Sequence, residues 1–237
     1  MHGRQEGCQV FKEKFNLSLE PPKLWQEKAS AFVQWSQNQL QRSLDTLQNL
    51  YQRGLNESTI NQYKLGFCEN PLSYSSKDFF RDREEWGLTC ECKPYGKPKK
   101  LWLPSGLVIP TMSSNGSVIK MKVRRQQWCK EDPLPKYVEI SGSMQCPSIF
   151  GNITNKVVVV VESELDALLI HQNTEDICFC TALGGVSKKP DLKCDHLLRE
   201  AKLILWCFDN DEAGKNAALW WRQTYSNLRF WPAPVTV

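Results

Sequence analysis

Apolar residues near the start of the chain recur at helical spacing. Between Lys23 and Leu50 the intervals are three to five residues, which predicts one amphipathic helix; the apolar positions are Ala31, Trp35, Leu40, Leu44 and Leu47. Gly54 suits the end of that helix, because glycine readily adopts the left-handed conformation found after helix ends. The segment "NESTINQYKLG" predicts a second, short helix that Asn56 caps and Gly66 ends.

Beyond residue 100 the spacing changes to that of strands. The runs "LWLPSGLVIPTM" and "GSVIKMKVRRQQW" predict two strands, and the Asn-Gly in the intervening Ser113–Gly116 predicts a hairpin. Apolar and basic residues alternate in the second run, so three cations are expected on one face of that strand: Lys120, Lys122 and Arg124. "PKYVEI" predicts a further short strand.

From Val157 onward, continuous apolar runs alternate with helical segments. Strands are predicted over Val157–Val161, Ile177–Leu183 and Leu203–Phe208, with a possible fourth within Arg229–Val237. Helices are predicted over Glu164–His171, Asp191–Ala201 and Glu212–Tyr225. Strands that alternate with helices through short connections favour an α/β unit with a mostly parallel sheet.

These patterns predict three parts: a linker or tail over 1–22, a mixed helical and β subdomain over 23–150, and an α/β subdomain over 151–237. The chain has 237 residues, which suits one large domain or two small ones. It contains no run of about 18 apolar residues and no signal-peptide core, so no membrane partner and a cytoplasmic location are expected. Ten cysteines lack C-x-x-C spacing, so we expect reduced thiols and no zinc site in this chain.

The charge is unevenly distributed between the two predicted subdomains. Residues 151–237 hold 9 basic and 11 acidic residues, a net of −2, whereas residues 1–150 hold 21 and 15, a net of +6. Between Lys93 and Lys136 there are ten basic residues and only two acids. This asymmetry suggests an anionic polymer on one half and metal chemistry on the other; a solvated basic surface explains the charge alone equally well.

Three acids follow predicted strands of the α/β subdomain. Glu162 follows the first strand, and Asp209 and Asp211 follow the third. Ligands bind outside the carboxyl ends of strands in open α/β sheets, and carboxylates are suited to Mg²⁺ or Mn²⁺. Asp166 lies four residues after Glu162, where a helix would return it toward the same edge. The alternative is that these acids are turn or helix-cap residues.

Several segments together resemble a known family. "VVVVVESELDALLIHQ" and "LILWCFDNDEAGKNAA" resemble the strand-and-acid motifs of TOPRIM domains, and "TALGG" between them resembles the glycine-containing turn after the second TOPRIM strand. "YQRGLNESTINQYKLGF", "GLVIPTMSSNGSVIKMKVRR" and "PKYVEISGS" resemble bacterial-type primases, in the family order, so that the resemblance covers roughly 51–225. It indicates the catalytic core of a DNA primase of the phage, plasmid or mobile-element kind.

The resemblance implies an α+β fold, with a basic mixed α/β subdomain followed by a TOPRIM subdomain. It implies a nucleotidyltransferase that makes short RNA primers on single-stranded DNA from ribonucleoside triphosphates. Glu162, Asp209 and Asp211 would be catalytic and, with Asp166, would hold two or more Mg²⁺ or Mn²⁺ ions with the nucleotide. The expected nucleic-acid and nucleotide contacts are Lys120, Lys122, Arg124, Arg125, Lys136 and Tyr137. A replicative helicase is the expected partner.

Two family features are not found within these residues: an amino-terminal zinc-binding domain and an acidic motif downstream of the D-x-D. We therefore expect the chain to be a piece of a longer protein, weak or inactive alone. The alternatives are a non-catalytic TOPRIM module that binds nucleic acid or a helicase, and a TOPRIM nuclease or topoisomerase. The topoisomerase alternative is disfavoured because it offers no place for the primase-like region over 51–136.

Overall fold

The structure is a computed structural model, and it describes residues 20–69, 80–126, 128–208 and 212–231. The described residues form two compact units that divide between Met144 and Gln145. The division lies shortly before the domain boundary predicted at 150, because the first strand after Gln145 pairs within the second unit. No described helix is long and apolar enough to cross a membrane.

Three helices open the first unit: α1 (Lys23–Leu40), α2 (Leu44–Gln52) and α3 (Glu57–Gln62). The single helix predicted over 23–50 is therefore wrong in one respect, since it breaks after Leu40. A new helix begins after Ser43, whose hydroxyl lies 2.8 Å from that of Thr46. Asn56 is confirmed as the cap of α3, because its side-chain oxygen accepts a hydrogen bond from the Thr59 amide at 2.8 Å.

The described residues of the first unit also form six short strands: β1 (Gly66–Cys68), β2 (Phe80–Asp82), β3 (Lys100–Trp102), β4 (Gly106–Met112), β5 (Val118–Arg125) and β6 (Tyr137–Glu139). The antiparallel main sheet has the order β1-β4-β5-β6, and β2 pairs with β3 separately. The hairpin predicted at Ser113–Gly116 is confirmed. The apolar run before it forms two strands rather than one, separated by a segment that contains Pro104, which has no N–H for a ladder.

One face of the main sheet packs on α1 and forms the core of this unit. Trp25 and Val33 of α1 belong to the same buried cluster as Val108, Met121 and Val123 of the sheet. The Trp25 indole N–H donates to the Ser141 carbonyl oxygen at 2.8 Å, so the largest side chain of the core is also satisfied as a donor. The opposite face of the sheet carries the alternate residues of β5.

The second unit is an α/β sandwich around a five-stranded sheet. Its strands are β7 (Ser148–Phe150), β8 (Val157–Val161), β9 (Phe179–Ala182), β10 (Leu203–Cys207) and β11 (Leu228–Phe230). Its helices are α4 (Glu164–Thr174), α5 (Leu192–Glu200) and α6 (Glu212–Thr224). The order is β11-β10-β8-β9-β7; all pairs are parallel except β7 with β9. The α+β class and the mostly parallel sheet are confirmed.

The connections leave β8 at the centre of the sheet. From β8 the chain moves to β9 on one side, and from β9 it returns to β10 on the other side. With right-handed crossovers, α4 covers one face, and α5 and α6 cover the opposite face. Leu198 of α5 and Trp221 of α6 share a buried cluster with Ile204 and Trp206 of β10, as this arrangement requires.

Candidate functional site

The carboxyl ends of β8 and β10 lie side by side. These strands are parallel neighbours, with Val161 opposite Cys207, so Glu162 and Phe208 follow at adjacent positions on one edge of the sheet. The helices after β8 and β10 cover opposite faces, which makes this edge a topological switch point, where α/β sheets bind ligands. Asp209 and Asp211 lie outside the described residues, between the end of β10 and the start of α6 at Glu212.

The backbone around Glu162 is tied to the loop after β9. The Leu183 amide donates to the Val161 carbonyl oxygen at 3.1 Å, and the Gly184 amide donates to the Glu162 carbonyl oxygen at 2.8 Å. Gly184 has a φ of 81°, a conformation that favours glycine. The predicted glycine turn "TALGG" thus lies against the first predicted site acid. The Glu162 side chain is partly exposed at this edge, and its carboxylate suits Mg²⁺ or Mn²⁺.

Asp166 is part of the amino-terminal cap of α4. The Ser163 hydroxyl accepts a hydrogen bond from the Asp166 amide at 3.3 Å and lies 2.5 Å from one Asp166 carboxylate oxygen. This reciprocal arrangement satisfies groups at the helix start, as capping boxes do. Asp166 therefore has a structural role in the described residues, and its metal-ligand role stays a prediction.

Glu164 lies in the first turn of α4, where acids interact favourably with the helix dipole. Its side chain is buried, and one carboxylate oxygen accepts a hydrogen bond from the Ser148 hydroxyl on β7 at 3.3 Å. No signal in the sequence indicated β7, so none indicated this contact. Within the described ranges no three or more His, Cys, Asp or Glu side chains are grouped to hold a metal; Asp209 and Asp211 fall outside those ranges.

The predicted alternation along β5 in the first unit is confirmed from Lys120 to Arg124. Ile119 lies at a register shift between β4 and β5, so Val118 rather than Ile119 joins the buried cluster. Lys122 lies opposite Ile109 of β4 and Glu139 of β6, while Arg124 lies opposite Leu107 and Tyr137. The alternate residues Met121 and Val123 face the α1 core. The register thus brings four predicted nucleic-acid contacts to one face of the sheet: Lys120, Lys122, Arg124 and Tyr137.

Those cations differ in how deeply they are buried, which the alternation does not predict. Lys120 and Lys122 are 1% and 4% exposed, whereas Arg124 and Tyr137 are partly exposed. A buried ammonium group requires polar or charged partners, because its desolvation otherwise costs several kcal/mol or more. The Arg124 Nε atom is buried without a hydrogen-bond partner among the described residues. Arg124 therefore presents on this face a hydrogen-bond donor that has no partner among the described residues.

Arg125 is engaged with the loop between β5 and β6. Its Nη2 donates to Asp132 Oδ2 at 2.7 Å, its Nη1 donates to the Leu134 carbonyl oxygen at 3.2 Å, and its guanidinium lies 5.8 Å from the Trp102 ring centroid. The hydrogen bond from Arg125 lowers the pKa of the Asp132 carboxyl. Arg125 thus organises a loop in the described structure, and its contact with nucleic acid stays a prediction.

The same loop also positions the last predicted basic residue. The Trp128 indole N–H donates to the Leu134 carbonyl oxygen at 3.0 Å. Lys136 Nζ lies 5.5 Å from the Trp128 ring centroid, within the range of a cation–π interaction. Trp128 therefore supports both the loop backbone and the Lys136 ammonium.

The described cysteines are free thiols with contrasting environments. Cys178 and Cys180 are buried beside or within β9. Burial raises the pKa of the Cys68 and Cys194 thiols to about 12. Cys90, Cys92 and Cys129 are exposed.

Comparison with known proteins agrees with this geometry. A family model described as Toprim-like matches residues 159–232, which span β8 to β11. The "DNA primase" of Haemophilus influenzae is 23% identical over 240 residues, covering 93% of this chain and 39% of the relative. That of Pasteurella multocida is 22% identical over 237 residues, covering 93% and 37%.

Solved structures extend the likeness to both units. The "DnaG primase catalytic domain bound to ssDNA" superposes with a TM-score of 0.64 at 19% identity, covering 90% of this chain and 74% of that chain. A DNA primase domain from Pseudomonas aeruginosa gives 0.64 at 22% identity, covering 89% and 72%. The RNA polymerase domain of Mycobacterium tuberculosis primase DnaG gives 0.63 at 19% identity, covering 90% and 76%.

The second unit has the α/β fold of the Toprim-like family model that it matches, and its candidate site lies at the switch-point edge of the sheet. Together with the basic first unit, it gives the chain the fold of a DnaG-type primase catalytic core. The chain spans about two fifths of the length of the curated primases it matches.

Proposed function

We propose that this chain is the catalytic core of a DNA primase, which makes short RNA primers on a single-stranded DNA template by metal-dependent nucleotidyl transfer. The observation that carries the proposal is the meeting of Glu162 with the segment that leads to Asp209 and Asp211 at the switch point of a Toprim-like unit. The basic first unit supports it, because a polynucleotide substrate requires neutralised phosphates.

In this proposal the second unit carries the acidic, metal-binding residues. Glu162, Asp209 and Asp211 hold Mg²⁺ or Mn²⁺, with Asp166 at the adjacent helix start. When bound, such ions neutralise the triphosphate charge and favour deprotonation of the attacking 3′-hydroxyl. The parallel pairing of β8 with β10 brings Glu162 beside Phe208, the residue that precedes Asp209. Carboxylates that share a metal site repel one another, and bound cations relieve that repulsion.

The first unit carries the basic residues that contact template or nucleotide in this proposal. Arg124, whose Nε lacks a partner among the described residues, is the group we assign to a template or nucleotide phosphate. Lys136 and Tyr137 extend this surface, Tyr137 by stacking on a base. Ribonucleoside triphosphates and a replicative helicase are the further partners that we infer from the primase relatives.

Template-dependent incorporation of labelled ribonucleotides with Mg²⁺ or Mn²⁺ tests the proposal. The assay compares the chain, and any longer protein that contains it, with the variants Glu162→Gln and Asp209→Asn. Each variant is expected to lose at least about a hundredfold in rate, the scale of removing a key electrostatic group. Asp176→Asn, which changes an exposed carboxylate of the same unit, is the matched control and is expected to retain the rate.

Binding of single-stranded DNA without any template-dependent product from the intact protein would contradict the enzyme and favour the non-catalytic binding module. Full activity of the Glu162 and Asp209 variants would contradict the site assignment while leaving a primase. The two failures are therefore distinguishable in one set of measurements.

A further inference from the structure

A hairpin in the first unit, separate from the β5 surface, carries a concentrated positive charge. The eight residues from Lys93 to Lys100 include four lysines and no acidic residue. Its backbone is ordered by hydrogen bonds from the Lys93 amide to the Lys97 carbonyl oxygen at 2.8 Å and from the Lys99 amide to the Glu91 carbonyl oxygen at 2.7 Å. We call the segment from Glu91 to Lys100 the basic hairpin.

The base of the hairpin is electrically neutralised. Glu91 accepts from Arg83 Nη2 at 2.7 Å and from Lys99 Nζ at 2.9 Å, and these contacts lower the pKa of its carboxyl. Lys100 lies 3.2 Å from Asp82. The charges at this end of the hairpin therefore serve mainly to hold its two arms together.

The next pair of opposite residues in the hairpin differs from this neutralised end. Lys93 and Lys97 lie directly opposite each other, so their side chains share a face of the hairpin, and like charges in that position repel. No carboxylate of the described residues lies within ion-pair distance of either lysine. A pair that is unfavourable in the free protein becomes favourable when an anion lies between or beside the two ammonium groups.

The tip of the hairpin presents an aromatic ring. Tyr95 is 94% exposed, between Pro94 and Gly96, where Gly96 has a φ of 76° that closes the turn. Turn positions favour small polar residues, so the turn itself gives no reason for a tyrosine. An aromatic ring in full contact with water forfeits the free energy that burial would give. Its exposed face is available to stack on a planar group.

A groove lies beside the basic hairpin, and its lining also contains cations and an aromatic ring. Its volume is about 740 Å³, and its lining includes Lys93 and Lys97 together with the ion-paired Arg83, Glu91, Lys99 and Lys100. Phe80, which is 38% exposed, also lines it and stacks on Trp102 with ring centroids 6.5 Å apart and planes 15° apart. The groove thus combines a cationic wall with a second aromatic surface.

We propose that the basic hairpin and its groove bind single-stranded DNA, with Lys93 and Lys97 on its phosphates and Tyr95 stacked on an unpaired base. Grooves that bind single strands combine a track of cations with aromatic rings on which bases stack. A duplex presents the same phosphates but keeps its bases stacked, so Tyr95 selects the single strand. The inference rests on the proposed primase function, for which it provides a second template contact.

Fluorescence anisotropy with a labelled oligothymidylate, in the absence of metal and nucleotides, tests the inference on the 237-residue chain. Tyr95→Ala is expected to weaken binding about tenfold, whereas Tyr95→Phe retains the ring and the affinity. Lys93→Ser with Lys97→Ser is expected to reduce the slope of log affinity against log salt by about 1.4, from about 0.7 per phosphate contact. Tyr51→Ala and the pair Lys28→Ser with Lys202→Ser change other exposed residues and are the matched controls.

Unchanged affinity and salt slope in the Tyr95 and lysine variants would overturn the inference. So would equal binding of a duplex of the same length, or tighter binding of polyglutamate than of oligothymidylate, which would indicate an acidic protein segment as the occupant. Circular dichroism of each variant establishes that the fold is retained. Failure of the primase function appears instead as a lack of RNA product, with this binding intact.

Discussion

Arg125 and Asp132 form an ion pair across the loop between β5 and β6, with Arg125 Nη2 2.7 Å from Asp132 Oδ2. Both side chains are mostly shielded from solvent, at 16% and 17% exposure. The Asp132 carboxylate also accepts from the Leu134 amide at 2.9 Å. An arginine proposed to contact nucleic acid is therefore already held by an acid of its own chain, which limits its attraction for phosphate.

Removing that acid is expected to strengthen binding of single-stranded DNA. Asp132→Asn removes one negative charge and releases Arg125, so the affinity should rise about two- to threefold at low salt, whereas Arg125→Ala should lower it. Anisotropy with a labelled oligonucleotide measures both. Glu131→Gln removes a neighbouring exposed charge without touching Arg125 and is the control. Equal affinity in all three variants would assign Arg125 a purely structural role.

Variants in the amino-terminal cap of α4 distinguish the two roles considered for Asp166, metal ligand and capping residue. Ser163→Ala removes the hydroxyl that pairs with Asp166 and should lower the free energy of unfolding by about 1 kcal/mol. Asp166→Asn should reduce primer synthesis strongly if the carboxylate holds a metal ion, and should affect mainly stability if it serves only the cap. Urea unfolding and the incorporation assay measure the two effects; Ser226→Ala, at an exposed position, is the control.

Gly142 is expected to be intolerant of any side chain. It has a φ of 89°, and a Cβ atom there would lie 2.6 Å from the Trp25 ring, the buried centre of the first unit. Gly142→Ala should therefore lower the free energy of unfolding by about 2–4 kcal/mol. Gly116→Ala, with a φ of 82° and open space around its Cβ, should cost only about 1 kcal/mol. Similar losses for the two variants in urea unfolding would exclude a clash with Trp25.

Acid should weaken the basic hairpin before it unfolds either unit. The lowered pKa of Glu91 means that its stabilising contacts are fully present above the ordinary pKa of 4.5 and are lost as the pH falls through the lower folded value. The protection of the hairpin amides, measured as their exchange rates relative to the intrinsic rates at the same pH, should therefore decrease below about pH 4.5. Glu91→Gln should show the reduced protection already at neutral pH, and protection that does not change with pH in the unaltered chain would contradict this role of Glu91.

Thiol reactivity should follow exposure and pKa. Cys92 and Cys129 are exposed and should react first with a disulfide reagent, followed by Cys90, whose thiol pKa is raised by desolvation and by nearby Glu84. Cys68 and Cys194, with pKa values near 12, should react only on unfolding. Mass spectrometry of time-resolved labelling gives the order. Early labelling of Cys194 would show that the second unit opens in its native state.

The patterns that predict this fold are those with a purely local cause. Alternation along β5 fixes which residues share a face, and the valine run of β8 requires burial on both sides, so both elements are evident from the residues alone. The strand pair β2 and β3 and the edge strand β7 have only three residues each. Segments this short lack a readable period, and tertiary pairing decides their conformation.

The candidate site likewise has features that the sequence predicts and features that it does not. Glu162 is predictable because an acid directly after a buried parallel strand has only one edge at which to lie. The engagement of Arg125 with Asp132 is not predictable, because it depends on how the loop between β5 and β6 folds back. Nor does alternation reveal that Lys120 and Lys122 are buried, since it gives the direction of a side chain and not what covers it.

The antiparallel pairing of β7 with β9 has a practical consequence for dissecting the chain. A fragment that starts at 151, where the sequence predicts the second subdomain, would lack β7 and leave the row of backbone donors and acceptors on the far side of β9 uncovered. Such an open, apolar edge is a template for self-association. Ser148, the partner of the buried Glu164, would be lost with it. An excised Toprim-like unit should therefore begin no later than Gln145, or it will tend to precipitate for reasons unrelated to its chemistry.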